Sequence, residues 1–311
     1  MKIAVTGCAG FIGSHTVEAL LDHGHDVIGF DDLRNGYESN LRDHTNFKLY
    51  KIDVAFIKPS DLEGCQAVVH LAATGSVPRS IQLPSVTTQN NIMGFQAVLE
   101  SARLAGVKRV VYASSSSIYG HGQYNPLSPY AMTKQVNEMQ AEQYNIHYGM
   151  ECIGLRYFNV FGPRQGQYSD YSAVIAKWVS AFNAKKPIII HGDGKQSRDF
   201  TYIKNVVDAN LLAIDAKFHK SMCLFDIGCG NSHSLNYLAS ELEHVLGYRP
   251  ERIYERERTG DIGYSKANIQ PAIQHLDFQA RFGLRDGLKD WLTPDRVVLT
   301  SQPRPYQAYP Q

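Results

Sequence analysis

A short apolar run, Ile3-Ala4-Val5, passes through Thr6 into Gly7-Cys8-Ala9-Gly10-Phe11-Ile12-Gly13, then into a stretch with helical spacing (Ile12, Thr16, Ala19, Leu20) closed by Gly24. A strand that turns at once into a helix through glycines at this spacing limits the fold more than any other feature of the chain. One glycine permits the tight turn, the second lets backbone N–H groups approach a pyrophosphate, and the third allows close helix–strand packing. The helix N-terminus adds oriented N–H groups and a dipole that favours an anion. Alone, such a triplet is a weak signal. It gains weight from Asp31, 18 positions beyond Gly13 at the end of the next apolar run and followed by Asp32. A carboxylate there can accept both hydroxyls of an adenosine ribose and repels a 2′-phosphate, so NAD rather than NADP is the expected dinucleotide. Arg34 is near enough to meet a phosphate instead, but two consecutive aspartates favour NAD.

The first half repeats this alternation. Ile3–Val5, Val27–Phe30, Phe47–Tyr50, Ala67–Leu71 and Arg109–Ala113 read as strands, several of them separated by amphipathic helical patterns. The alternation predicts an α/β fold, a Rossmann-type doubly wound parallel sheet with helices on both faces. A length of 311 residues suits two modest domains or one large domain with an extension. After Arg156, helical runs near 173–184 and 234–247 are interleaved with short strands at 188–190 and 224–227, a pattern better suited to covering a ligand than to extending the sheet. The expected division is an NAD-binding domain over 1–156, with 198–228 returning to it. A smaller, interleaved substrate-binding domain follows from 157–197 and 229–300. Residues 301–311 form an extended tail, in which Pro303, Pro305 and Pro310 remove backbone donors.

Composition enters by exclusion. The 31 Lys+Arg against 30 Asp+Glu leave a net charge of +1, with no basic excess to neutralise the phosphates of a nucleic acid. No apolar run approaches the roughly 18–20 residues that span a bilayer, so no membrane partner is expected. Met1-Lys2 leads straight into the first strand with no room for a signal peptide, and the five cysteines form no CxxC pair; reduced thiols in a cytoplasm are expected. His23 and His25 flank Gly24 in a turn, and no histidine–carboxylate spacing suggests a metal site.

The chemistry concentrates between residues 112 and 134. Tyr130-Ala131-Met132-Thr133-Lys134 sets a phenol and an ammonium on one helix face, about 5–6 Å apart at Cβ, and Pro129 suits the helix start. A phenol, with an ordinary pKa near 10, needs neighbouring positive charge to act as a base at neutral pH, and Lys134 supplies one. The fifth strand runs into Ser114-Ser115-Ser116-Ser117-Ile118-Tyr119-Gly120, at the sheet edge where ligands of open α/β folds bind. A serine hydroxyl there can hold a sugar hydroxyl or the ketone made from it.

Jointly, Gly7/Gly10/Gly13, His70-Leu71-Ala72-Ala73, Ser115/Tyr130/Lys134 and Arg156-Tyr157-Phe158-Asn159 resemble the extended short-chain dehydrogenase/reductase family from residue 1 to about 292. The nearest resemblance is to nucleotide-sugar 4-epimerases, and among them to those acting on UDP-N-acetylglucosamine. In that family the catalytic serine or threonine lies four residues before the Tyr of the Tyr119-Gly120 pair, which selects Ser115 beside Tyr130 and Lys134 as the catalytic set. The resemblance implies NAD contacts by Gly7, Gly10, Phe11, Ile12, Gly13, Asp31, Asp32, Asn35, Gly36, Asp53, Val54, Leu71, Ala72, Ala73, Asn91, Tyr130, Lys134 and Phe158. It implies substrate contacts by Ser76, Ser115, Tyr130, Asn159, Arg198, Arg258, Asp261 and Ser265. Arg198 and Arg258 match diphosphate ligands, for which guanidinium forks suit the geometry, and Asp261 matches a ribose ligand.

Neighbouring positions separate the family's reactions. Members that dehydrate the sugar carry Asp-Glu after the catalytic residue, and decarboxylating members a Glu two residues before the Tyr; Ser116 and Ser117 stand here. What the resemblance leaves is oxidation at C4 followed by reduction, through a transient 4-keto sugar. A bulky tyrosine four residues beyond Asp261 excludes N-acetyl groups in the family, and this chain has Ser265. With Gly75–Ser80 and Asn159–Gln165, that favours the UDP-N-acetylglucosamine/UDP-N-acetylgalactosamine pair, although a roomy pocket need not reject smaller sugars. A UDP-glucuronate or UDP-glucose 4-epimerase on the same fold is the alternative enzyme, and a noncatalytic NAD-binding sensor or scaffold the alternative of another class. One departure stands out: only 15 residues separate Ser115 from Tyr130, where relatives have several more and an acidic segment near Pro126. The resemblance also implies a place in carbohydrate metabolism and polysaccharide biosynthesis. It implies a homodimer too, joined through the Tyr144, Ile146 and Tyr148 end of the Tyr130 helix and the 86–103 helix, unless both simply face the core.

Overall fold

The computed structural model describes residues 1–120, 122, 124–166, 173–257 and 262–292. At its centre lie seven parallel strands: β1 (Lys2–Thr6), β2 (Asp26–Asp31), β3 (Phe47–Lys51), β4 (Ala67–His70), β5 (Arg109–Ser115), β6 (Glu151–Tyr157) and β7 (Leu224–Ile227). Their order is β7-β6-β5-β4-β1-β2-β3, so the winding reverses between β1 and β4 and opens a crevice beyond their C-terminal ends. The longer helices are α1 (Phe11–Asp22), α2 (Gly94–Leu104), α3 (Pro129–His147), α4 (Val174–Asn183), α5 (Ile203–Asp215), α6 (Leu235–Leu246) and α7 (Leu284–Leu292).

Successive strand side chains point to opposite faces, and both faces are covered. Ile3 and Val5 join Leu20 of α1 and Val206 of α5 in one core, while Ala4 joins Phe95, Val98 and Leu99 of α2 and Ala141 of α3 in the other. The same split separates Val111 from Val110 and Tyr112 on β5. Burying each larger apolar side chain contributes about 1.5–3 kcal/mol, so the doubly wound arrangement follows from strands that are apolar on both sides. α1 ends where Gly24 takes φ +76°, a conformation that glycine adopts without strain.

Two findings differ from the sequence reading, and a third decides between alternatives that it left open. Glu151–Tyr157, outside the expected strands, is β6 and pairs with β5 over its whole length. Leu224–Ile227 extends the sheet as its edge strand beside β6 rather than covering a ligand. Of the two readings left open for the end of α3, Tyr144 takes the core-facing one, being 6% exposed and part of the α2/α3 core, whereas Ile146 and Tyr148 are exposed.

Much of the second half is laced together by short strand pairs. Val160–Phe161 pairs with Thr201–Tyr202, Ser197–Arg198 with His233–Ser234, and Ile188–His191 with Arg252–Glu255. Asn159 follows β6 and Cys229 follows β7 by two residues each, so these segments gather at the same sheet edge as the glycine turn.

Candidate active site

The glycine turn is formed by steric necessity. Gly7 has φ +68°, and a Cβ there would lie 2.7 Å from the backbone N of Ala72, at the end of β4. A Cβ on Gly13 would lie 1.9 Å from Gly7 O, so the first turn of α1 can pack on the loop only without a side chain. Gly10 is the N-cap of α1 in extended conformation, which leaves the first N–H groups of the helix free of a side-chain cap. Leu71 N–H donates to Thr6 O at 3.1 Å and Ala72 N–H to Thr6 Oγ1 at 3.3 Å; Thr6 Oγ1 also meets His70 Nδ1 at 2.8 Å. Sequence reasoning passed over Thr6, which joins the ends of β1 and β4.

Asp31 is 7% exposed, and its two oxygens accept N–H groups from Ala9 (2.9 Å) and Leu33 (2.8 Å). Burial pushes its carboxyl above the ordinary carboxylate value and these two bonds pull it partly back. The residue therefore shapes the glycine loop itself, leaving its remaining lone pairs for hydroxyl donors. Arg34 binds both Asp32 and Asp53, with Asn90 Oδ1 at 3.5 Å, so it is drawn toward carboxylates. Asp53 also accepts the Ala55 N–H at 2.9 Å, and Val54 is buried beside Gly94. Gly36 packs against Ala9, and Asn35 Oδ1 accepts from Arg79 Nη1 at 2.8 Å. Asn91 is 1% exposed, with both ends of its amide bonded to protein, namely Thr74 N–H at 2.8 Å and Thr133 Oγ1 at 2.9 Å.

β5 delivers Ser115 and α3 delivers Tyr130 and Lys134. Ser128 caps α3 by accepting the Ala131 N–H at 3.1 Å, and Pro129 starts it, which fixes Tyr130 in the first turn. Burial pushes the Tyr130 phenol above its ordinary value, and a hydrogen bond with Ser115 pulls it partly back. Ser115 Oγ also lies 2.8 Å from Ser117 Oγ. Lys134 is 2% exposed, donates to Ala113 O at 2.8 Å, and is lowered to about 8 by burial against the opposing field of Glu138. The structure thus brings the three sequence-chosen residues together at the end of β5.

Behind them stands a cluster the motifs did not reveal. Glu138, 4% exposed, accepts from Ser114 Oγ (2.5 Å), Arg156 Nε (2.8 Å) and Arg156 Nη2 (2.8 Å). Arg156 Nη1 donates to Tyr119 OH at 2.7 Å, which donates to Asp226 at 2.6 Å. A periodicity signal was available, since Glu138 lies one helical turn past Lys134 on the face that carries Tyr130.

On the substrate side, Asn159 has φ +33° and donates to Asp199 O at 3.2 Å. Phe158 is fully buried and its N–H donates to Ile227 O at 3.0 Å. Asp199, which the sequence analysis does not single out, is 0% exposed and accepts three N–H groups: Cys229 (2.8 Å), Gly230 (2.9 Å) and Ala267 (3.1 Å). Arg198 and Ser265 are adjacent through Ser197, whose O accepts both Arg198 Nη1 (2.9 Å) and the Ser265 N–H (3.1 Å). Ser76 caps the Val77–Gln82 helix at the Arg79 N–H. Arg258, Asp261 and the 301–311 tail lie outside the described residues.

The chain is 34% identical over 298 residues to a putative UDP-glucose 4-epimerase of Methanocaldococcus jannaschii, covering 92% of this chain and 96% of the relative. Among solved structures it resembles the UDP-N-acetylglucosamine 4-epimerase of Methanobrevibacter ruminantium in complex with UDP-N-acetylmuramic acid: TM-score 0.87, 35% identity, 93% of this chain and 95% of that one. It also resembles a variant UDP-glucuronic acid 4-epimerase of Bacillus cereus bound to NAD and a fluorinated substrate analogue, with TM-score 0.87, 30% identity and coverage of 94% and 98%. The NAD dependent epimerase/dehydratase pattern matches residues 3–228, the stretch that runs from β1 through the glycine turn and the Ser115–Tyr130–Lys134 group to β7. With NAD as the cofactor that its glycine turn and Asp31 fit, this chain belongs to the NAD dependent epimerase/dehydratase family.

Proposed function

We propose that this enzyme inverts C4 of a UDP-hexose, interconverting UDP-N-acetylglucosamine and UDP-N-acetylgalactosamine. The observation that carries the reading is the meeting of Ser115, Tyr130 and Lys134 at the end of β5, beside a glycine turn shaped for a dinucleotide. Gly7, Gly10 and Gly13 with the α1 N-terminus would hold the pyrophosphate. Asp31 would hold the adenosine ribose, and residues 1–156 with 198–228 would form the cofactor-binding part. NAD supplies the acceptor, and afterwards the donor, of the hydride at C4.

The protein's own groups handle the proton and the orientation. A phenol is protonated at neutral pH and burial raises Tyr130 further, so its ionisation would rest on the Ser115 hydrogen bond, the Lys134 ammonium and the positive charge of the oxidised cofactor. Tyr130 would then take the proton of the C4 hydroxyl while Ser115 hydrogen-bonds the same oxygen, and would return the proton after the sugar has turned. Turning requires the nucleotide to stay fixed, the role assigned to Arg198, Arg258, Asn159 and Asp261. Ser265, whose N–H donates to Ser197 O beside Arg198, is small enough that it would leave room for an N-acetyl group. The similarity to glucose- and glucuronate-type epimerases keeps those two sugars as competing substrates.

α3 exposes Met132 (38%), Met139 (59%) and Ile146 (45%), seven residues apart along one stripe, and Met93 lies exposed on the preceding helical segment. A second copy of the chain is the proposed occupant of that stripe. Among the described residues no helix is long and apolar enough to cross a membrane, and a cytoplasmic setting is part of the proposal.

Tyr130→Phe tests the reading. Loss of the general base is expected to lower kcat by about 10²–10⁴-fold while bound NAD per chain stays unchanged. Wild-type turnover in that variant would remove Tyr130 from the mechanism.

A further inference from the structure

The connection between Ser115 and Tyr130, which the resemblance implies is short, is held in place at several of its described residues. Gly120 takes φ +52°, and a Cβ there would lie 2.2 Å from Asn125 O and 3.3 Å from Leu127 Cγ. The connection therefore folds back on its own start. Within it, Tyr124, 47% exposed, lays its hydroxyl against the Glu138–Arg156 pair. Its hydroxyl hydrogen-bonds Glu138 and accepts from Arg156 Nη2 at 3.3 Å. Its ring lies 5.2 Å from the Arg156 guanidinium carbon, with the Tyr119 ring at 5.3 Å, so the guanidinium contacts two tyrosine faces.

What Tyr124 holds on to is the base of the reaction centre. Glu138 projects from α3 one turn past Lys134 and two past Tyr130, and Arg156 is the register partner of Ser114, the residue before Ser115. Ser114 itself donates to Glu138. One side chain from the connection thus clasps an ion pair that joins the helix carrying Tyr130 to the strand carrying Ser115.

We infer that Tyr124 is a positioning residue for C4 chemistry: by fastening the short connection to the Glu138–Arg156 pair, it holds Ser115 and Tyr130 in register around the C4 oxygen. The inference rests on the reading of Ser115, Tyr130 and Lys134 as the reaction centre. If register is lost after C4 is oxidised, the keto sugar can leave before it is reduced. The hydride with its electron pair then stays on the cofactor, the hydroxyl proton passes through Tyr130 to solvent, and the enzyme is left holding reduced nicotinamide.

The test compares Tyr124→Phe and Tyr124→Ala with the wild-type holoenzyme on UDP-N-acetylglucosamine, UDP-glucose and UDP-glucuronate. Readouts are kcat per NAD-loaded site, KM, melting temperature and the near-ultraviolet absorbance of reduced cofactor during turnover. Tyr124→Ala is expected to lower kcat by about 10- to 100-fold, as small misplacements of reacting groups do, with KM nearly unchanged and reduced cofactor accumulating. Tyr124→Phe keeps the ring over Arg156 and is expected to show the same changes at about threefold. Unchanged kcat and cofactor state in both variants, or a lower melting temperature alone, would overturn the inference. Should Tyr124→Ala fail to fold, a wild-type kcat in Tyr124→Phe overturns it by itself. A wild type inert toward all three sugars sinks the functional reading and this inference together, whereas an active wild type with unchanged variants sinks only the inference.

Discussion

Asp31 and Asp199 stand in different halves of the site, yet each uses a buried carboxylate to gather backbone N–H groups from neighbouring loops. Burial raises both carboxyls and the N–H bonds oppose that rise. They differ in reach. The partners of Asp31 lie 22 and 2 residues away, inside the glycine-turn unit, whereas those of Asp199 lie 30, 31 and 68 residues away. The loop that Asp31 shapes is assembled from one contiguous stretch of chain. The edge proposed to hold the sugar nucleotide draws on three segments distant in the chain, and Asp199 is the knot that ties them.

The severest challenge to that contrast is Gly13→Ala. With only 1.9 Å between the new Cβ and Gly7 O, the turn must open, and about 3 kcal/mol or more of stability should be lost together with bound NAD. A variant that unfolds at the wild-type denaturant concentration and retains NAD would show that the turn is not sterically set.

Asp199→Ala comes next. It strands three buried N–H groups, and a loss of about 3–5 kcal/mol is expected by equilibrium denaturation. Asp31→Ala strands two and should cost less, about 2–3 kcal/mol, with its main effect on NAD retention. Reversal of that order would break the comparison.

Two histidines sharpen it through pH. Burial lowers His15 to about 4 and His70 to about 3, both from 6.5. His70 is bonded to Thr6 in the cofactor half, and His15 Nε2 donates to Pro163 O across the two halves at 3.0 Å. Below about pH 6.5 the unfolded chain binds protons that the folded chain refuses, so stability is full above that value and drains as pH falls toward 4 and then 3. Melting temperatures across that window should show the loss, and His15→Asn should flatten its upper part. The smallest expected effect is on specificity: Ser265→Tyr should reduce kcat/KM for the N-acetylated sugar relative to UDP-glucose by about 10–200-fold, with NAD retention untouched.

The same difference in reach explains what could be read in advance. The glycine turn, Asp31, the early strands and the Pro129 start of α3 announce themselves within a few residues of one another. Tyr130 and Lys134 follow from helical spacing. β6 stayed hidden because Gly154 interrupts its apolar run; a Cβ there would lie 2.6 Å from Tyr112 OH and from Leu224 Cδ2, so glycine is present to let neighbours pass. Leu224–Ile227 looked like a peripheral strand because nothing local says that it will pair with β6. From sequence Tyr144 suits either a dimer contact or a core position, and its hydroxyl bridges Gln96 and Glu100 at the edge of a core that only the packed helices define. Asp199 and Glu138 escaped for the same reason: their roles depend on which distant groups arrive beside them.

The central claim is that these two halves together invert C4 of an N-acetylated UDP-sugar. Incubating the purified protein with UDP-N-acetylglucosamine, with no NAD added, and following UDP-N-acetylgalactosamine tests it most directly. Steady approach to an equilibrium mixture of the two is the predicted result, and it would show retained cofactor, C4 inversion and a pocket that accepts the acetyl group at once. Absence of conversion in protein shown to carry NAD, with UDP-glucose or UDP-glucuronate converted instead, would contradict the assigned sugar; inertness toward all three would contradict the mechanism.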